Sequence, residues 1–267
     1  MFPLSAQEID QYHEQGFLVP EFRLPPDRLG QLRDALERVI EANPETRPEQ
    51  IGSPHILNGI GKGVTGDAAF LEIARDEKIL DLVEQLIGPD IVLWGSQAFC
   101  KPQGDGMEVP WHQDGQFWPI RPPATSTVWI ALDDSLIENG CLRVIPGSHR
   151  EKTLHQHLKE ERSNIALHQQ IDSGVFNPSS AIDVELEAGQ MSLHDVHLIH
   201  GSNPNHSTRR RAGYAIRYMP GSSLFDRGSV LSNANYQNDF VSRPLWLLRG
   251  QDRTGQNDFV IGHPPNE

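Results

Sequence analysis

The chain has 267 residues, with 36 acidic against 23 basic side chains and a formal charge of −13, a balance that argues against nucleic acid and anionic membrane as partners because both need a concentrated positive field. Its length is enough for a substantial core, in one large β-rich domain or two small ones. No long apolar run marks a membrane span, and the N-terminus "MFPLSAQEIDQYHEQG" lacks the basic start and apolar stretch of a signal peptide, so a cytoplasmic protein is expected.

In chain order, "SAQE" at Ser5 to Glu8 reads as a capping box opening a short helix that stops near Gly16, and "FLVP" after it reads as a strand. From Pro26 to about Asn43, Leu29, Leu32, Leu36, Val39 and Ile40 recur at helical spacing. "GKGVTG" (Gly61 to Gly66) satisfies GxGxxG, with Glu84 downstream, but "SPHILNGI" before it makes a poor strand and no βαβ run follows, so a loop is expected. Leu80, Val83, Leu86 and Ile87 mark a third helix that ends at Gly88-Pro89. The texture then changes. "IVLWGSQAFCK", "STVWIALDD", "CLRVIPGS", "QMSLHDVHLIH" and "RAGYAIRYMP" are short, β-branched and aromatic, and separated by turn residues. Helices followed by an all-β core are expected, with long loops at 43–66, 102–110 and 151–180. Cys100 and Cys141 lack CxxC spacing and read as buried thiols.

In "VPWHQDGQFW" (Val109 to Trp118), His112 and Asp114 are two apart, so in a strand both project from one face while Gln113 points away. An imidazole and a carboxylate suit a borderline divalent metal, although polar residues at strand ends are also common without one. A third ligand has three candidates in "LHDVHLIHGSNPN": His194, His197 and His200. Alternation sets His194 and His200 on one face; His200, closing the apolar strand before Gly201, is the expected ligand, with His194 and His197 behind the ligands or simply packed. Two histidines and a carboxylate leave three positions open on one side of an iron(II) ion, whereas a structural zinc site would need a fourth protein ligand. "HQH" at His155 to His157 lies in the charged stretch "EKTLHQHLKEER" and reads as a solvated helix face or loop.

Arg211 opens the strand "RAGYAIRYMP", where its fixed charge and planar fork suit a bound carboxylate. Alternation puts Arg211, Gly213, Ala215 and Arg217 on one face, while Arg209 and Arg210 read as a surface basic patch.

The ordered set His112, Asp114, His200 and Arg211 resembles the phytanoyl-CoA dioxygenase family of iron(II)- and 2-oxoglutarate-dependent oxygenases. "AQEIDQYHEQGFLVPEF", "ENGCLRVIPGSH", "HGSNPN" and "RY" (Arg217-Tyr218) are similar to family segments, and the resemblance covers nearly the whole chain. It implies an all-β core with flanking helices, a double-stranded β-helix of the jelly-roll or cupin-like barrel kind. The chain is then one domain over 1–267, with a helical part to about 90, a β-helix core over about 91–220 and a C-terminal extension over about 221–267. By the resemblance, His112, Asp114 and His200 bind Fe(II), Arg211 grips the distal carboxylate of 2-oxoglutarate, Ser202 helps by hydrogen bonding, Gln97 contacts the cosubstrate, and O2 is the oxidant. Many relatives in the wider superfamily carry a serine two residues after the arginine; here that residue is Gly213, so the carboxylate needs a second donor elsewhere. Asp114 favours hydroxylation, because related halogenases lack that acid.

Family members act on acyl-CoA thioesters, amino acids, compatible solutes and aminophosphonates, so the family does not set the substrate. With no extended basic cleft for coenzyme A, a small polar metabolite is expected, an aminoalkylphosphonate or similar zwitterion in particular. Trp111, Phe117 and Trp118 are core aromatics or walls of a pocket that could cage a cation. His55, Asn58 and Lys62 in "GSPHILNGIGKG" offer polar contacts in a segment that could fold over the site. Two other readings are a cupin-like binding module without oxygenase chemistry and a nicotinamide-dependent oxidoreductase built on "GKGVTG"; neither needs Arg211 together with the triad. "SRPLWLLRG" (Ser242 to Gly250) packs on the barrel or joins subunits, and the sequence carries no signal for oligomeric state.

Overall fold

The computed structural model describes residues 3–59, 63–172, 174–228 and 240–263. Helix α1 (Ala6–Gln15) has the expected box: the Ser5 hydroxyl accepts from the Glu8 N–H at 3.2 Å and the Glu8 carboxylate accepts from the Ser5 N–H at 2.7 Å. It ends at Gly16, whose φ of 84° carries no Cβ penalty in glycine. Helix α2 (Pro26–Ala42) buries Leu29, Leu32, Leu36 and Val39. Helix α3 (Ala68–Ala74), too short to leave a periodic signal, is capped by Asp67, and α4 (Glu77–Ile87) is capped by Asp76 and stops at Gly88. Among the described residues no helix is long and apolar enough to cross a membrane.

Strands β1 (Phe17–Leu18) and β2 (Ile51–Gly52) are short, and β3 (Ile91–Lys101) is long. They are followed by β4 (Val109–His112), β5 (Ile120–Arg121), β6 (Ser126–Ala131) and β7 (Leu142–Val144). A pair, β8 (His157–Lys159) and β9 (Gln169–Ile171), precedes β10 (Ile182–Val184), β11 (Met191–Asp195), β12 (His200–Ser202) and β13 (Arg211–Pro220). The last two are β14 (Leu224–Phe225) and β15 (Trp246–Arg249). One sheet runs β1-β11-β6-β13-β3-β15, with β2 also on β3; the other runs β10-β7-β12-β4, and every pairing is antiparallel. This is the two-sheeted β-helix expected from the resemblance.

Alternation along β13 divides the interior in two. Ala212, Tyr214, Ile216 and Tyr218 face the helices, in one core with Leu36, Phe70 and Leu80. The opposite face carries Ala215, which packs with Trp129, Val144 and Leu198 between the sheets. The Tyr214 and Tyr218 hydroxyls donate to the Phe70 and Ala74 carbonyls at 3.0 and 2.9 Å, which satisfies both phenols and ties α3 to the sheet.

Several expectations change in three dimensions. "SRPLWLLRG" supplies β15, an edge strand on β3, and Arg249 bridges to Asp81 at 3.0 Å and Glu84 at 2.7 Å on α4. The segment 151–180 holds the β8–β9 pair, so "HQH" is no helix face: the half-buried His157 opens β8 and its Nε2 accepts from the Gln113 N–H at 3.1 Å. Arg209 and Arg210 do not form a basic patch, because Asp134, Glu138, Asp133 and Glu37 pair with them. Of the glycine motif, Gly61 and Lys62 lie outside the described residues, and 63–66 is neither strand nor helix. Both cysteines are free and buried.

Candidate metal centre and cavity

Strands β12 and β4 pair with His200 opposite His112, which brings the two imidazoles out on one face with ring centroids 4.1 Å apart. The close approach depends on Gly201, where a Cβ would lie 2.8 Å from the Val109 carbonyl oxygen. Asp114 is not on the strand. β4 ends at His112, and Asp114 opens a single helical turn, Asp114–Gln116. Gln113 between them stays extended, φ −117° and ψ 130°, so both side chains still project together. Gln113 itself is buried facing away: its amide donates to the Thr153 and His197 carbonyls at 3.0 and 2.6 Å, and its oxygen accepts from the His155 N–H at 2.8 Å.

Asp114 Oδ1 is 3.6 Å from His112 Nε2 and 4.0 Å from His200 Nε2, and one donor atom from each residue falls within 4.8 Å of the others. The Nδ1 atoms of His112 and His200 each face a backbone carbonyl, of Pro110 and Leu198, at 2.9 Å. A carbonyl only accepts, so each Nδ1 carries the proton and each Nε2 lone pair is left for a metal. Burial holds His200 well below the usual imidazole range, in its neutral form. Burial alone would raise Asp114, but the neighbouring imidazoles of His112 and His194, each 3.6 Å away, and the positive charge of Arg217 hold it well below the carboxylate range. Two imidazoles turned Nε2-inward and an ionised carboxylate on one side fit a ferrous ion with open positions.

The other histidines of the segment part company. His194 lies on β11 in the larger sheet, His200 on β12 in the smaller one, so strand alternation does not relate them. His194 nevertheless reaches the site across the barrel, its Nε2 3.6 Å from Asp114 Oδ2 and its ring 4.7 Å from that of His200. Thr127 donates to the same Oδ2 at 3.3 Å. His197 turns away and sits 3.1 Å from the Asp195 carboxylate.

These groups line a cavity whose empty space, counted out to its open mouth, is about 760 Å³. Arg211 enters it only 3 % exposed, with its guanidinium 5.3 Å over Trp129. Among the described residues it makes no hydrogen bond or ion pair, and its Nε has no partner. Burial lowers it to about 10, still charged at neutral pH. An uncompensated buried cation costs several kcal/mol, a cost that an anion in the cavity would offset. Gly213 has its reason here too, because a Cβ would lie 2.0 Å from the Trp129 indole and no serine fits. Ser202 also lines the cavity, and its Oγ accepts from Lys101 Nζ at 2.7 Å, which leaves its own proton to donate. Lys101, buried and cross-strand from Arg211, was not singled out by its sequence; the register of β3 against β13 is what gives it a role.

Gln97 lines the cavity, but its oxygen accepts from Arg217 at 3.1 Å, and it pairs with Ala215 rather than with Arg211. Phe117 and Trp118 are walls. Trp118 carries Arg217 on its face at 5.0 Å, and Trp111 lies outside the lining, against Phe176 and Arg143, so the three aromatics do not close round one cation. His55 is buried, 2.6 Å from Ser96 Oγ and edge-on to Trp246, and Asn58 is exposed; neither lines the cavity, and Lys62 lies outside the described residues.

The phytanoyl-CoA dioxygenase (PhyH) family model matches residues 12–213. The "Phytanoyl-CoA dioxygenase domain-containing protein 1 homolog" of Dictyostelium discoideum is 32% identical over 169 residues, 62% of this chain and 59% of its own length. The "Probable alpha-ketoglutarate-dependent hypophosphite dioxygenase" of Stutzerimonas stutzeri is 34% identical over 169 residues, 63% and 57% of the two chains. The matches thus span less than two thirds of these relatives. A solved structure, the apo form of the non-heme monooxygenase ThoJ, superposes with a TM-score of 0.71 at 24% identity, over 97% of this chain and 88% of that one, a likeness of fold. Because the matched stretch runs from within α1 to the start of β13, and so takes in both facing histidines, the carboxylate and the buried guanidinium, the chain belongs to the phytanoyl-CoA dioxygenase family.

Proposed function

We propose that the protein is an iron(II)- and 2-oxoglutarate-dependent dioxygenase that hydroxylates an unactivated C–H bond of a small polar metabolite, releasing succinate and carbon dioxide. The observation that carries this reading is the unpartnered, buried Arg211 in the same cavity as the triad. His112, Asp114 and His200 would hold the ion, and the bound iron with 2-oxoglutarate and O2 would supply the oxidising power that no side chain has. Arg211 would receive the far carboxylate of the cosubstrate, with Ser202 as the second donor in place of the serine that Gly213 lacks. Lys101, by donating to Ser202 Oγ, turns the hydroxyl proton toward that carboxylate. Thr127 holds Asp114 Oδ2 and keeps Oδ1 toward the histidines. Phe99, Phe117, Trp118 and Trp129 wall the cavity against water.

The specific candidate substrate is an aminoalkylphosphonate or a similar small zwitterion. The relative named for hypophosphite, at 34% identity, supports a phosphorus oxyanion. An anaerobic titration with Fe(II) and 2-oxoglutarate, followed by a metabolite screen for succinate release, tests the reading. Saturable 2-oxoglutarate binding that depends on both metal and Arg211 is expected. Equal binding to an Arg211→Ala variant overturns it, and ligand binding without succinate across the screen points instead to a binding module.

A further inference from the structure

We propose that Arg217 forms a second anion subsite, on the substrate side of the cavity, and that the molecule oxidised carries a small oxyanion group, carboxylate or phosphorus-based, which Arg217 receives. The inference rests on the oxygenase reading above and says which part of the substrate the chain recognises.

Position comes first. In the larger sheet His194, Thr127 and Arg217 form one cross-strand row, His194 opposite Thr127 and Thr127 opposite Arg217. Thr127 in that row touches Asp114, so Arg217 enters the cavity beside the metal side chains. Arg211 lies at the other end of the same face of β13, roughly 20 Å away along the backbone. The two cations sit at separate ends of the cavity lining, and one anion at Arg211 leaves Arg217 uncompensated.

The side chain is also held as a receptor would be. Its Nη2 donates to Gln97, its guanidinium lies 5.0 Å over Trp118 and 5.9 Å from Trp94, and its buried Nε has no partner. Arg209, Arg210, Arg249 and Arg253 all bridge to carboxylates. Arg217 has no such bridge among the described residues, and Asp114, committed to the triad, is the sole carboxylate lining the cavity.

A second guanidinium stands behind. Gly95, cross-strand from Arg217, is flanked by both arginines: a Cβ there would meet Arg243 Nη1 at 3.3 Å and Arg217 Cδ at 4.0 Å. Near both, His55 is pushed down to about 3 by burial and by these two cations, so it stays neutral. Two guanidinium groups thus stand at this end, and the planar fork of arginine matches a carboxylate or phosphonate edge. The same lining offers an ammonium group no free carboxylate, so the oxyanion end of a zwitterion is the part that is read.

The test is calorimetric, with Mn(II) in place of iron and saturating 2-oxoglutarate. The probes are ethylphosphonate, hypophosphite, 2-aminoethylphosphonate and butyrate, against butanamide and ethanolamine. At least one oxyanion should bind the wild type about 10-fold more tightly than butanamide and ethanolamine. Arg217→Gln should weaken that binding by about 10- to 100-fold, with Arg217→Lys between the two. In both variants 2-oxoglutarate affinity should stay within about twofold, which also reports on folding. Whether the carboxylate or the phosphorus probes respond names the headgroup. Absence of any oxyanion preference overturns the subsite, as does an Arg217→Gln variant that loses 2-oxoglutarate instead. A wild type that binds neither Mn(II) nor 2-oxoglutarate sinks the oxygenase reading itself.

Discussion

Arg211 concentrates the residue-scale argument, because a guanidinium this buried over Trp129 with no anion beside it is a liability until a ligand arrives. Two opposite effects follow from removing the charge. Arg211→Met should abolish 2-oxoglutarate binding yet leave the metal-free protein as stable or more stable, by up to about 4 kcal/mol in urea titrations. A large loss of stability would show that the guanidinium has a partner in the empty protein. Arg211→Lys keeps charge without the fork and should raise the 2-oxoglutarate requirement about 10- to 100-fold. Gly213 tests the same corner from the other side. Gly213→Ser restores the hydroxyl common in the wider superfamily but drives Cβ into the indole, and should cost about 1–3 kcal/mol. Adding Trp129→Leu should recover part of that, and a single mutant as stable as wild type would mean the indole moves aside freely.

At the scale of elements, the site is assembled by the pairing of β4 with β12 and by the turn that follows β4. Gln113 fixes that turn, because its amide group bonds three backbone groups from two other segments while its neighbours are His112 and Asp114. Gln113→Leu should lower the melting temperature, since each stranded buried partner costs about 1–3 kcal/mol. It should also weaken metal affinity by about 10-fold through misplacement of Asp114, read by Mn(II) titration. Intact affinity at lowered stability would confine Gln113 to packing. The same elements explain what the sequence could and could not disclose. HxD spacing and the strand start at Arg211 are local, period-two facts, and they were legible. That His200 sits opposite His112, and Lys101 opposite Arg211, depends on register between distant strands, which no local period encodes. The shared face of His194 and His200 fails for a related reason: it needs one unbroken strand over 191–200, whereas the chain crosses between sheets at 196–199, and His194 still stands behind the triad against Asp114. Helix α3 and the β8–β9 pair were too short, and the His155 to His157 segment too charged, to stand out before their partners were known.

For the whole molecule, acid is the condition that sets buried histidines against the fold. His55 is pushed down to about 3 and His157 to about 4, chiefly by burial. His157 has no alternative, since its Nδ1 faces the His155 carbonyl and its Nε2 accepts from the Gln113 N–H. Both are neutral when folded and titrate near 6.5 when unfolded, so the unfolded chain binds more protons below that pH. Their contribution is therefore complete above pH 6.5 and is lost as pH falls toward 4 and then 3, at up to about 1.4 kcal/mol per pH unit for each histidine. Asp195, held at about 2 against the upward pull of burial by His197 and Lys152, acts in a lower window: its share is present above about 3.8 and fades below it. Urea unfolding of metal-free protein should give a plateau above pH 6.5 and a steady decline from there to pH 4.5. In a His157→Gln variant, which keeps an acceptor for the Gln113 N–H, the decline should be shallower. A stability that stays level down to pH 4.5 would mean that both imidazoles reach water and take up protons without opening the barrel.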